Sequence, residues 1–201
     1  MTDFKNDLHV WVPHEFPDQI IEMFNNELST PELKLEISKS PPRGVYNMVE
    51  WALPTLIGVY IFKTYFDTFL KEAAKDHYKL LKDWIKKTSK ETRLIKVTTI
   101  TASQSSEKVS KSNTQSKVFS VKSKTNTGLT ITFLFDDSLD NELWDKAIDN
   151  LLSILENHFS NGETDRLTVE IEQKKFEKTI YAKMKSDNGD WEFLAIHHLQ
   201  S

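Results

Sequence analysis

The chain carries 26 basic and 30 acidic side chains over 201 residues, with twelve Phe, five Trp, five Gly and no Cys. The aromatic content excludes a disordered chain, and the lack of Cys excludes disulfides, thiol catalysis and thiolate metal sites. A length of this order suits one domain or two small ones, able to bury roughly 70% of the unfolded surface.

The opening residues have no basic start followed by an apolar run, so a secretory leader is not expected. All six prolines fall between positions 13 and 54, which suggests that the first part of the chain is built differently from the rest. LHVWV at 8–12 reads as a short strand closed by Pro13. Pro17 suits a first helical turn, and Ile20, Ile21, Phe24 and Leu28 follow at helical spacing. Leu33, Leu35 and Ile37 alternate with Lys34 and Glu36 as a second strand, giving a β-α-β opening. A turn-forming loop at 38–44 leads to WALPTLIGVYIF at 51–62, twelve residues without a charge.

From Phe62 the pattern is one-sided. Phe62, Phe66, Phe69, Ala73, His77, Leu80, Leu81, Trp84 and Ile85 form a stripe opposite Lys71, Lys75, Lys79, Lys82 and Lys86. The spacing predicts one amphipathic helix over 55–87, roughly 50 Å long if unbroken. That helix would offer more aromatic surface than one small domain covers. Phe62, Phe66, Phe69, Trp84, Lys71, Lys75 and Lys79 are therefore the expected interaction surface.

The remainder reads as β-rich. Strands are expected at 94–101, 118–124, 129–135, 167–172, 179–185 and 191–197, and a mobile Ser- and Lys-rich loop at 103–117. Residues 126–128 (NTG) and the Asn188-Gly189 pair make hairpin turns. Leu143, Trp144, Ala147, Ile148, Leu151, Leu152, Leu155 and Phe159 define a helix over 138–159. The expected fold is α+β: a β-α-β unit and long amphipathic helix at 1–90, then an antiparallel sheet, β-β-β-α-β-β-β, with one packing helix at 91–201, the two parts forming either one domain or two.

Charge is unevenly spread, with +9 over 63–135 and −13 over the two flanks. The favoured reading is that folding sets these opposite charges side by side. With 23 Lys and only Arg43, Arg93 and Arg166, the basic residues are poorly suited to base-edge recognition, so sequence-specific nucleic-acid binding is not expected. Asp136, Asp137 and Asp140 lie in DDSLD, at a strand end and helix start. Carboxylates so placed could hold Mg²⁺, but they equally cap a helix and offset its dipole. The six His show no HxxxH or HExxH spacing, and His77 on the apolar stripe reads as a satisfied core residue. Arg43-Gly44 offers an anion site before a helix, but GxGxxG, GxxxxGK[ST] and GxSxG are absent.

These features point to a non-enzymatic interaction or assembly protein of a bacterial cytoplasmic system. Its partner would be another protein or a second copy of itself, and no cofactor is implied. A second reading is peripheral membrane association through 45–90, where seven Lys fall between 71 and 90 after the apolar stretch; twelve apolar residues fall short of the ~20 a spanning helix needs. A third is a metal-dependent enzyme centred on Asp136 and Asp137.

Overall fold

Leu8, Val10 and Val12 point one way along strand β1 (Leu8–Val12) into the core, while His9 and Trp11 take the opposite face. The computed structural model describes residues 6–39, 55–69, 75–93, 114–161, 165–176 and 178–195. Helix α1 (Asp18–Leu28) begins after Pro17, whose missing N–H costs nothing there, and buries Phe24 and Leu28. Strand β2 (Leu35–Lys39) returns parallel to β1, pairing Leu8 with Leu35 and Val12 with Lys39. The Asp7 carboxylate fixes this entry by accepting the Lys34 N–H at 2.9 Å. The expected β-α-β opening is present, with its second strand two residues later than the alternation suggested.

The single helix expected over 55–87 is replaced by three elements: strand β3 (Ile57–Ile61), helix α2 (Lys63–Phe69) and helix α3 (Lys75–Thr92). IGVYI is β-branched and aromatic, and its Gly would weaken a helix. Ile57, Val59 and Ile61 face the core, whereas Gly58 and Tyr60 face away. A Cβ on Gly58 would stand 3.1 Å from the Trp11 ring, so the absent side chain makes room for that indole. Among the described residues no helix is long and apolar enough to cross a membrane.

After α3 come β4 (Gln115–Lys124), β5 (Thr130–Asp136), helix α4 (Asn141–Asn161), helix α5 (Arg166–Lys174), β6 (Thr179–Met184) and β7 (Trp191–Leu194). Residues 166–174, expected to contain a strand, are helical. The Asp165 carboxylate caps them by accepting the N–H groups of Leu167 and Thr168, and Lys175 closes them in the left-handed region at φ 50°. Leu167 and Ile171, four apart, are buried while Val169 between them is 40% exposed, so helical spacing overrides the β-branched alternation. Gln115 to Lys117, placed in the expected loop, belong to β4. The strand expected at 94–101, residues 103–113 of that loop and Arg43-Gly44 lie outside the described residues.

The chain is α+β. Its seven strands form one sheet in the order β2-β1-β3-β4-β5-β6-β7, continuous across the division expected near residue 90. The sheet is mixed rather than antiparallel: β1/β2, β3/β4 and β5/β6 are parallel, alternating with antiparallel pairs. Each parallel pair is joined through helices, because a strand returning in the same direction needs a crossover. The helices pack on one another, α3 against α1 and α4, and α2 and α5 against α4. The core between them and the sheet includes Trp144, Trp191, Phe133 and Phe135, all fully buried.

The uneven charge resolves along the seam between α3 and α4. Lys82 and Lys86 both reach Asp149, at 2.9 and 2.6 Å, and Lys90 reaches Asp145 at 2.7 Å. Burial pushes the Asp149 carboxyl up, but the two lysines outweigh it and hold it below the usual carboxylate range.

Candidate functional site

The aromatic stripe is covered by the chain itself. Phe62, Phe66, Phe69 and Trp84 are 8, 1, 2 and 4% exposed. Phe66 lies 5.1 Å from Phe159 of α4, and Phe69 stacks on Tyr65 and on His77. His77 is buried and satisfied, with Nδ1 3.2 Å from the Tyr65 hydroxyl and Nε2 3.1 Å from the Leu28 carbonyl. The surplus aromatic surface expected of a long helix is therefore absent from the described stripe: Phe66 packs on Phe159 of α4, Trp84 on Phe24 of α1 and Phe62 on Tyr60 of β3. Lys71 and the Lys75 side chain lie outside the described residues.

Two of the expected interaction residues do meet at the surface. Glu27 of α1 with Asp76, Lys79, Leu80, Asp83, Trp84 and Lys87 of α3 line an open groove of about 520 Å³. Leu80 and Trp84 supply its apolar lining, and the Phe24 ring backs Trp84 edge-on at 5.2 Å. Four of the five rim charges pair with one another, Lys79 with Asp83 at 2.8 Å and Lys87 with Glu27 at 2.5 Å, Asp76 being the fifth. The buried indole Nε1–H of Trp84 has no hydrogen-bond partner. Met23 of α1, one turn before Glu27 and so on the same side, is one of two large apolar residues left exposed.

The DDSLD carboxylates act locally. Asp136 accepts from the Ser138 N–H at 2.8 Å and from the Thr114 hydroxyl at 2.7 Å, and its backbone carbonyl receives the Trp144 indole N–H. Asp140 caps α4 by accepting the Leu143 N–H at 2.8 Å. Burial pushes the Asp137 carboxyl up, against the opposing pull of Ser116 and Arg93. Arg93 ties the turn down by donating to the carbonyls of Asp137 and Leu139 and to the Asn141 side chain, and it lies 4.7 Å over Trp144. Among the described residues no group of three or more His, Asp or Glu side chains is placed to hold a metal.

A second cleft, of about 600 Å³, lies between α4, the start of α5 and the β6–β7 turn. Its polar lining includes Asn150, Ser153, Asn157, Arg166 and Asp190, with Arg166 and Asp190 paired at 2.7 Å. Behind it His158, fully buried, accepts the Asn126 N–H on Nε2 at 3.0 Å, so Nδ1 carries the proton toward Asp165 at 3.1 Å. With both nitrogens engaged, this Asp–His pair supports structure and is not free to act as a base.

The sheet face turned away from the helices brings together a set that sequence periodicity did not single out. His9, Tyr60, Lys122, Thr132 and Tyr181 form one row across five adjacent strands. The Trp11 ring lies 4.4 Å from His9, 5.8 Å from Tyr60 and 5.8 Å from the Lys122 ammonium. The available signal was the alternation in LHVWV and IGVYI, which assigns His9, Trp11 and Tyr60 to the face opposite the core. Comparison of the chain with protein-family models, curated proteins and solved structures finds no match in any of the three.

Proposed function

We propose that this chain is a non-enzymatic interaction or assembly protein that engages a protein partner through the groove along α3. The observation that carries the reading is the groove's construction: an apolar lining of Leu80 and Trp84 inside a rim where four of the five charged residues, all but Asp76, are paired with one another. Protein interfaces have this anatomy, an apolar centre within a polar rim, and Trp is prominent among the residues that dominate their energetics. Self-paired rim charges lower the cost of desolvation when a partner closes over them, because neither member is left unmatched. Phe24 behind Trp84 holds the ring in place, so little side-chain entropy is lost on binding.

Leu80→Glu tests this reading by placing a charge in the lining of the groove. The expected result is at least a tenfold loss in the amount of the bound partner that co-purifies, corresponding to about 1.4 kcal/mol or more. Glu172→Lys, a larger charge change on the exposed side of α5, should leave recovery unchanged. Equal recovery of the same proteins with the Leu80 variant and the parent would defeat the proposal.

A further inference from the structure

The face of the sheet turned away from the described helices contains a cation that no described residue neutralises. Lys122 sits in the middle of β4, between Tyr60 and Thr132 in register. The residue is partly buried, and among the described residues its ammonium makes no hydrogen bond and has no carboxylate within 4.0 Å. Burial alone pushes it below the usual lysine range.

The compensation available nearby is small. The Trp11 ring, 5.8 Å away, is near the ~6 Å limit of a cation–π contact, worth about 0.5–2 kcal/mol. Removing an ammonium from water costs several kcal/mol. The acidic residues on this face, Glu36 and Glu192, lie on the edge strands β2 and β7, each three strands from Lys122. At ~4.8 Å per strand that is roughly 14 Å, beyond the ~8 Å over which salt water transmits charge. Beside the same indole, buried His9 meets the Ser38 hydroxyl through Nε2 at 2.7 Å, while its Nδ1 has no partner among the described residues.

We propose that Lys122 binds the anionic group of a small ligand, a carboxylate or a phosphate, on the face of the sheet turned away from the described helices, beside Trp11 and Tyr60. The ligand supplies the counter-charge that the described fold does not. This site is on the opposite side of the sheet from the α3 groove and stands independently of that groove's function.

The test uses the full chain with ¹³C-labelled lysine ε-carbons, the Lys122 signal being the one lost in Lys122→Met. Inorganic phosphate, acetate and sodium chloride are titrated at matched ionic strength. Millimolar phosphate or acetate is expected to shift the Lys122 signal, raise its titration midpoint and raise the wild-type melting temperature; chloride is not. Response to phosphate alone assigns a phosphoryl ligand, and response to acetate alone assigns a carboxylate. Lys122→Met is expected to show no anion response and to melt about 2–4 °C above the wild type, because a partly buried charge with no described counter-charge has been removed. Lys122→Gln, neutral but polar, provides the same comparison if Met disturbs its neighbours. The proposal is overturned if phosphate and acetate act no differently from chloride, if the response survives in both variants, or if both variants melt below the wild type.

Discussion

Gly189→Ala is expected to destabilise the fold by roughly 2–5 kcal/mol, measured as a shift in the urea midpoint at unchanged slope. Two costs combine. Gly189 holds φ at +69°, where a Cβ adds strain of about 1–2 kcal/mol. The new Cβ would also stand 2.8 Å from the Leu143 carbonyl oxygen and 3.2 Å from the Ala147 nitrogen, both backbone atoms of α4. Neither can move without displacing the helix from the β6–β7 turn, and overpacking of this kind costs about 1–3 kcal/mol more. Gly128→Ala separates the two costs. It shares the positive φ, at +85°, but nothing lies within 4 Å of its Cβ position. Only strain should appear there, at about 1–2 kcal/mol. Equal losses at the two glycines would show that α4 does not rest on the β6–β7 turn as described.

Asp165→Ala is expected to cost roughly 2–4 kcal/mol near neutral pH, from cap loss and orphaned donors together. One carboxylate oxygen accepts the N–H groups of Leu167 and Thr168, at 2.8 and 3.2 Å. The other accepts the Thr168 hydroxyl at 2.5 Å and the His158 Nδ1–H at 3.1 Å. Truncation removes the cap of α5 and the carboxylate acceptor of the buried His158 Nδ1–H, which is left with only the Thr168 hydroxyl at 3.3 Å. Burial pushes the Asp165 carboxyl up, but the bonds from Thr168 and His158 outweigh it and hold it below the usual range. A carboxyl depressed in the folded state stabilises the fold above its unfolded pKa of about 3.9, and loses that contribution as pH falls through the lower folded value. The gap between wild type and Asp165→Ala should therefore be full at pH 6 and shrink below about pH 4. A gap that does not vary with pH would mean that the bonds to the charged carboxylate contribute nothing.

Much of this fold could be read from spacing. Ile20, Phe24 and Leu28 marked α1, and Trp144, Leu151 and Leu155 marked α4, because each turns a single apolar face to the core. Asn188-Gly189 marked the last hairpin because its turn needs a positive φ. β3 was hidden because both of its faces are apolar: Ile57, Val59 and Ile61 pack inward while Tyr60 stacks outward on Phe62, so the period of two disappears. α5 was hidden for the opposite reason. LTVEIE alternates like a strand, and only the side-chain cap at Asp165 reveals the helix. The parallel pairing depends on where the crossover helices pack, which no strand records in its own residues.

The candidate sites divide in the same way. Lys79 and Trp84 could be named from the stripe, but the wall supplied by Glu27 comes from a helix about 55 residues earlier in the chain. Lys122 within VKSK looks like a solvated strand position, and its isolation emerges only when β3 and β5 set Tyr60 and Thr132 beside it.

The claim that the α3 groove receives a protein partner is tested most directly by a photo-crosslinking amino acid placed at position 80, with position 172 on α5 as the control. Irradiation in an extract of the native source is expected to yield one discrete higher-mass adduct from position 80 and none from position 172, with position 80 giving less adduct as unlabelled wild-type chain is added. A position 80 that stays uncrosslinked, or that yields the same adducts as position 172, would contradict it.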